Sequence, residues 1–167
     1  MLLAKLFAIY VRPILESNSQ VWSPSLKFEI NMLEDVQRTY TRIIYLKSLR
    51  TTPLSLPSYE TRLSELGLPS LSLRRKSLDL CYLHKILKNT LVKNRFSYNF
   101  VLAPTDGRKS AFKVVIPFAR KAGYQNSYYV RMSRCLTVLP KEFFICESVS
   151  QVKSFIRQHR NLIENLP

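Results

Sequence analysis

A chain of 167 residues with 26 lysines and arginines against 11 aspartates and glutamates carries a formal net charge of +15, an excess that draws polyanions by Coulomb attraction and counterion release. Apolar residues make up 46%, enough to bury a core, which excludes disorder throughout, and the length suits one domain or two small ones. Cys81, Cys135 and Cys146 are odd in number and lack metal-type spacing, which argues against a disulfide scaffold or a zinc knuckle and for a reducing, intracellular setting in nucleus or cytoplasm. With Gly67, Gly107 and Gly123 as its only glycines the chain has no phosphate-cradling Gly-rich turn, and no cofactor is expected.

Residues 2–16 predict a helix with Leu3, Leu6, Phe7, Tyr10 and Ile14 along one side and a kink where Pro13 removes a backbone donor. Lys5 interrupts this apolar run and Arg12-Pro13 closes it, leaving it too short to span a membrane and without the cleavage site of a signal peptide. Ser17-Asn18-Ser19-Gln20 reads as a turn. Ser23 as cap, with Pro24 at the first helical position, starts a second helix to about Leu46 in which Ile30, Leu33, Val36, Tyr40, Ile43 and Ile44 recur at helical spacing. Arg38 and Arg42, four apart, share a face away from Leu33 and Tyr40.

Residues 47–57 form a polar, proline-punctuated connection, the natural place to divide the chain into 1–57 and 58–167. Beyond it Ser58 caps a short helix that Gly67 ends in left-handed backbone. Ser70 then caps a longer helix to about Asn89, with Leu71, Leu78, Leu80, Tyr82, Leu83, Ile86 and Leu87 on its apolar face. Arg74 and Lys85, close to three turns apart, fall on nearly the same side, flanked by Arg75 and Lys76. Asn99-Phe100-Val101-Leu102 and residues 111–116 predict two short strands, paired as a hairpin across the loop 105–110. A further helix reaches Leu139-Pro140 with Asn126 as its cap, and residues 148–165 form an amphipathic helix with Val149, Val152, Phe155, Ile156, Leu162 and Ile163 opposite Lys153, Arg157 and Arg160.

Few residues have the makings of a catalytic site. Cys81 and His84 lie three apart, the spacing of a nucleophile pair, but their setting in an amphipathic helix favours core packing. Glu16, Glu34 and Asp35, the acids a metal-dependent nuclease would need, sit in amphipathic helices where acids are mostly solvated. Trp22 suits a helix joint, whereas Tyr128-Tyr129 beside Arg131 and Arg134 is the best candidate to stack on an unpaired base.

Tyr10-Val11-Arg12-Pro13-Ile14-Leu15-Glu16, Val21-Trp22-Ser23-Pro24, Leu33-Glu34-Asp35-Val36-Gln37-Arg38 and Thr41-Arg42 together resemble the thumb region of reverse transcriptases from non-long-terminal-repeat (LINE-type) retrotransposons, with Ser17 where that family has tyrosine. A second block, Tyr59-Glu60-Thr61-Arg62-Leu63-Ser64-Glu65-Leu66-Gly67-Leu68-Pro69-Ser70-Leu71 with Arg74-Arg75, resembles the same family in the same order. Towards the end the likeness is loose, with Leu136-Thr137 standing for the family's Trp-Asn before Val138-Leu139-Pro140.

The resemblance implies a mainly α fold, a helical thumb-like bundle with a small β-hairpin and a C-terminal amphipathic helix. The parent protein would be an RNA-directed DNA polymerase, whose metal-binding aromatic-x-Asp-Asp turn has no counterpart here, since Asp35, Asp79 and Asp106 are isolated. The expected role is that of a non-catalytic C-terminal part, with palm and fingers upstream, holding an RNA or RNA–DNA duplex by its backbone; no membrane or small-molecule ligand is expected. Arginine suits phosphate because its planar fork donates two parallel hydrogen bonds. The implied contact residues are Arg12, Lys27, Arg38, Arg42, Arg74, Arg75 and Lys85, and roughly five of them on phosphates would give a log–log salt slope of about −4 to −5. The alternative is a protein-interaction or structural module, whose sign would be exposure of Leu3, Phe7 and Tyr10.

Overall fold

A computed structural model describes residues 2–48, 55–88, 101–103, 113–118 and 120–166. The chain is mainly helical and divides into two compact units, Met1–Arg75 and Lys76–Pro167.

The first unit opens with α1 (Leu2–Leu6), a π-turn over Phe7–Val11 and α2 (Arg12–Glu16). Pro13 has no N–H and would crowd the carbonyl four residues earlier; the chain meets this by widening, so that the Arg12 N–H donates to the Phe7 carbonyl five residues back. The buried side here is Ala4 and Phe7, with Val11 and Leu15 packed beside them, while Tyr10 and Ile14 of the expected face are 67% and 75% exposed. Apart from Lys5 and Arg12 the helix is apolar nearly all round, and periodicity alone does not choose between two sides that both fit its spacing.

Asn18, at φ +53°, turns the chain into α3 (Ser19–Trp22), and the Trp22 indole N–H donates to the Ser17 carbonyl at 2.6 Å, so this side chain does fasten a joint. The long helix α4 (Lys27–Ser48) starts three residues after Pro24, the expected first position. In α5 (Tyr59–Leu66), Ser58 Oγ accepts the Thr61 N–H, and Gly67 at φ +62° closes the helix with Leu68 N–H on the Leu63 carbonyl (2.9 Å) and Gly67 N–H on that of Ser64 (3.1 Å). This closure folds Leu68 back beside Leu63, and both pack around the fully buried Phe7. α6 (Leu71–Lys88) begins with the Leu73 N–H on Ser70 Oγ at 3.2 Å.

The second unit takes up α6 from Lys76 and adds β1 (Val101–Ala103), β2 (Lys113–Val115), α7 (Ala122–Gln125), α8 (Tyr128–Val138), α9 (Lys141–Ile145), α10 (Val149–Gln158) and α11 (Arg160–Glu164). Leu80, Leu83, Ile86, Val130, Phe143, Val152 and Ile163 form its core. β1 and β2 run antiparallel with Val101 opposite Val115. The expected hairpin is not a sheet of standing: pairing spans three residues on each side, too few to be stable alone, and Asn99-Phe100, the loop 105–110 and Ala111-Phe112 of the expectation lie outside the described residues. Ser148 and Gln151 form a reciprocal capping box at the start of α10. The helix expected over 148–165 breaks at His159, beyond which Ile163 and Leu166 are buried and Lys76 Nζ donates to the carbonyls of Glu164 (2.8 Å) and Leu166 (2.6 Å).

The division falls inside α6 instead of at Pro57. Side chains of α4 bind both α5 and the first residue of α6, which draws residues 58–75 into the first unit.

Candidate nucleic-acid interface

The polar residues that stand out in the sequence of the first unit meet one another inside it. Glu16, nearly buried, receives the guanidinium of Arg74, 58 residues away, through two hydrogen bonds of 2.8 and 2.7 Å, and Arg12 approaches it at 3.5 Å. Burial, followed by repulsion from Arg74, lowers the Arg12 pKa, against the pull of Glu16. Glu34 accepts from the Tyr59 hydroxyl at 2.7 Å and from the Leu71 N–H at 3.1 and 3.2 Å, so a carboxylate sits on the open amide end of α6 where both hydrogen bonding and the helix dipole favour it.

One turn along α4, Gln37 Nε2 donates to the Tyr59 hydroxyl and to the Pro69 carbonyl, each at 3.1 Å. Next, the Thr41 hydroxyl accepts from Arg62 Nε at 3.3 Å while Arg62 Nη1 donates to the Pro57 carbonyl at 2.8 Å. Burial lowers the Arg62 pKa, and burial together with the Glu34 hydrogen bond pushes the Tyr59 hydroxyl well above its usual range. Glu34, Gln37 and Thr41 thus form a polar seam down the inner face of α4.

Seven basic residues were expected to meet phosphate, and the structure separates them. Arg12 and Arg74 hold Glu16, and Arg75 is 3% exposed, too deeply set to reach a duplex. Lys27, Arg38 and Arg42 are exposed and follow one strip of α4: Lys27 and Arg38 are three turns apart, about 16 Å, and Arg42 lies one turn further. Arg38 pairs with Asp35 and lies 5.0 Å from the Tyr59 ring centroid. Lys85 is exposed in the second unit. Exposed Lys47 was not singled out from the sequence, although its place at the basic end of α4 was a usable signal.

The remaining candidates are structural. Tyr128 is buried, donates to the Asp79 carbonyl at 3.0 Å and packs edge-on against Tyr82 and Tyr129, so it is not a base-stacking platform. His84 is also buried, with Nε2 2.9 Å from the Cys146 carbonyl and its ring edge-on to Phe143, as core packing requires. Phe7, offered as an exposed contact, is fully buried. Among the described residues no group of three His, Cys, Asp or Glu side chains is placed to hold a metal ion, and no helix is long and apolar enough to cross a membrane. No protein-family model matches the chain, and no curated protein and no solved structure is significantly similar to it.

Proposed function

We propose that this chain is the C-terminal, thumb and post-thumb part of a LINE-type reverse transcriptase and holds template–primer duplex through its phosphates without catalysing polymerisation. One observation carries the reading: the two motif blocks that resemble the family are partners of each other. Glu16 of the first block takes Arg74 of the second; Glu34, Gln37 and Thr41 take Tyr59, Leu71, Pro69 and Arg62. Residues that form one interlocking scaffold have a physical reason to occur together and in that order. The net charge of +15 supplies the attraction for a polyanion, and the thumb-like helical bundle is the finer form of the mainly α fold that this reading calls for. The palm and fingers, with the metal-binding aspartates, would come from polypeptide upstream.

The contact strip is Lys27, Arg38 and Arg42 on α4, with Lys85 as a separate contribution. Three phosphate contacts give a salt slope of about −3, shallower than the roughly −4 to −5 expected for about five contacts. Phosphate contacts position a duplex without reading bases, so affinity is expected to be nearly independent of sequence. The test is fluorescence anisotropy on an RNA–DNA duplex across a salt series. Arg38→Glu with Arg42→Glu should weaken binding for all sequences alike and flatten the slope by about 2. Coincident slopes and affinities for wild type and variant would remove this helix face from the interface and favour a protein-interaction module, which the exposed Tyr10 and Ile14 would then serve.

A further inference from the structure

We propose that two copies of this chain associate by antiparallel pairing of their α4 helices. The inference does not rest on the nucleic-acid reading. α4 carries an outward apolar stripe of Phe28, Met32, Val36 and Ile43, exposed by 72, 56, 41 and 41%. At 3.6 residues per turn these four side chains span about 80° of the helix, with exposed Thr39 between them. The inner face of the same helix is already taken by Glu34, Gln37, Thr41 and Ile44, all buried. A stripe of this size, continued along a helix of 22 residues, is the seam a second helix covers.

The charges beside the stripe identify that second helix as another α4. A two-fold axis across an antiparallel pair sets each flank of one helix against the same flank of the other, running the opposite way. On one flank lie Glu29 and Lys47, eighteen residues or five turns apart, so that Glu29 of one copy meets Lys47 of the second. On the other flank lie Asp35 and Arg42, two turns apart, and Asp35, which pairs with Arg38 of its own helix, would meet Arg42 of the second copy as well.

The register required is one and the same. The midpoint between Glu29 and Lys47 is position 38, that between Asp35 and Arg42 is 38.5, and Met32 opposite Ile43 centres on 37.5. Two ion-pair sets and the apolar contact agree to within one residue, about 1.5 Å along the axis. A parallel pair would instead set each flank against the opposite flank of the second copy, so Glu29 would not reach Lys47 and Asp35 would not reach Arg42; the charge matching belongs to the antiparallel orientation. Arg42 then serves either the second copy or a phosphate, and the two compete for it.

Sedimentation equilibrium of the full chain over a wide concentration range tests the pairing. The wild type should be a reversible dimer, and Met32→Asp, at an exposed position and with an unchanged circular dichroism spectrum, should be a monomer. Glu29→Lys alone and Lys47→Glu alone should each weaken the dimer roughly ten-fold, since each substitution acts twice across the two-fold. The double variant Glu29→Lys, Lys47→Glu should regain wild-type affinity. A wild type that stays monomeric throughout, a dimer indifferent to Met32→Asp, or a charge swap that fails to restore association overturns the proposal; the first would leave the stripe to a different protein, the second would move the contact to another surface.

Discussion

The two units of this chain are held together in different currencies. In Met1–Arg75 the helices are joined by side chains that reach each other over long stretches of sequence, Glu16 to Arg74, Glu34 to Tyr59 and Leu71, Gln37 to Pro69 and Thr41 to Arg62. Among the described residues of Lys76–Pro167 the core is aromatic and aliphatic, with Phe143 and Phe155 edge-on at 5.8 Å, Ile163, Val152 and Leu83 fully buried, and Asp79 with Arg131 as a largely buried ion pair. A hydrogen-bonded seam specifies which atoms meet; an apolar core specifies mainly volume. The first unit should therefore be sensitive to chemistry at constant shape, and the second to shape.

The largest effect is expected where volume is lost. Phe143→Ala in the second unit should cost about 3–5 kcal/mol in urea unfolding. Glu34→Ala, which strands the Leu71 amide and the Tyr59 hydroxyl, should cost about 2–4 kcal/mol in the first. The near-isosteric Glu34→Gln sharpens the contrast: it should still cost about 1–2 kcal/mol, because an amide offers one acceptor oxygen where the carboxylate offers two. If Glu34→Gln is silent, the seam does not act through chemistry and the contrast between units fails.

Gly67→Ala comes next. A Cβ at this position meets nothing within 4 Å, so its whole cost is the left-handed backbone at φ +62°, about 1–2 kcal/mol. Thermal unfolding of a variant with a wild-type circular dichroism spectrum would read it, and a neutral result would mean that the closure onto Leu63 and Ser64 does not need glycine.

Alkaline pH should separate the units by a smaller margin. Burial pushes the Cys135 thiol of the second unit up to about 11 from 9.0, and burial, with a hydrogen bond to Glu65, pushes the Tyr45 hydroxyl of the first up to about 12 from 10.0. Both pKa values are higher folded than unfolded, so the folded state keeps protons that the unfolded chain has released. The stability they contribute is complete below about pH 9 and falls as pH rises, through 11 for Cys135 and through 12 for Tyr45. Amide exchange against pH should show the second unit loosening first, and Cys135→Ala should abolish its early onset; the reverse order would contradict the assignment.

Local features of the chain are partly legible in its sequence: Ser23 and Asn126, expected to start helices, instead end α3 and α7. Ser58, Gly67 and Ser70 cap helices as their chemistry requires, because a cap depends on residues within one turn. The side of the first helix that turns inward is not legible, since Tyr10 and Ile14 are as apolar as Val11 and Leu15. Nor is the fate of an arginine: Arg38 and Arg74 read alike in a basic chain, and only the partner 58 residues away at Glu16 makes one of them internal. The candidate interface accordingly shrank from seven residues to a strip of three on α4 with Lys85 apart, while Glu34, Gln37, Tyr59 and Arg62, prominent in the motifs, proved to be scaffold.

The claim on which the rest depends is that the two motif blocks bind each other, and a double-mutant cycle on Glu16 and Arg74 tests it most directly. Glu16→Gln, Arg74→Met and the double variant are compared in urea unfolding. The expected result is a coupling energy of about 1–3 kcal/mol, with the double variant less destabilised than the sum of the two single changes. Additivity to within about 0.5 kcal/mol would show the two residues to be energetically independent, and the scaffold reading of the motifs would be wrong.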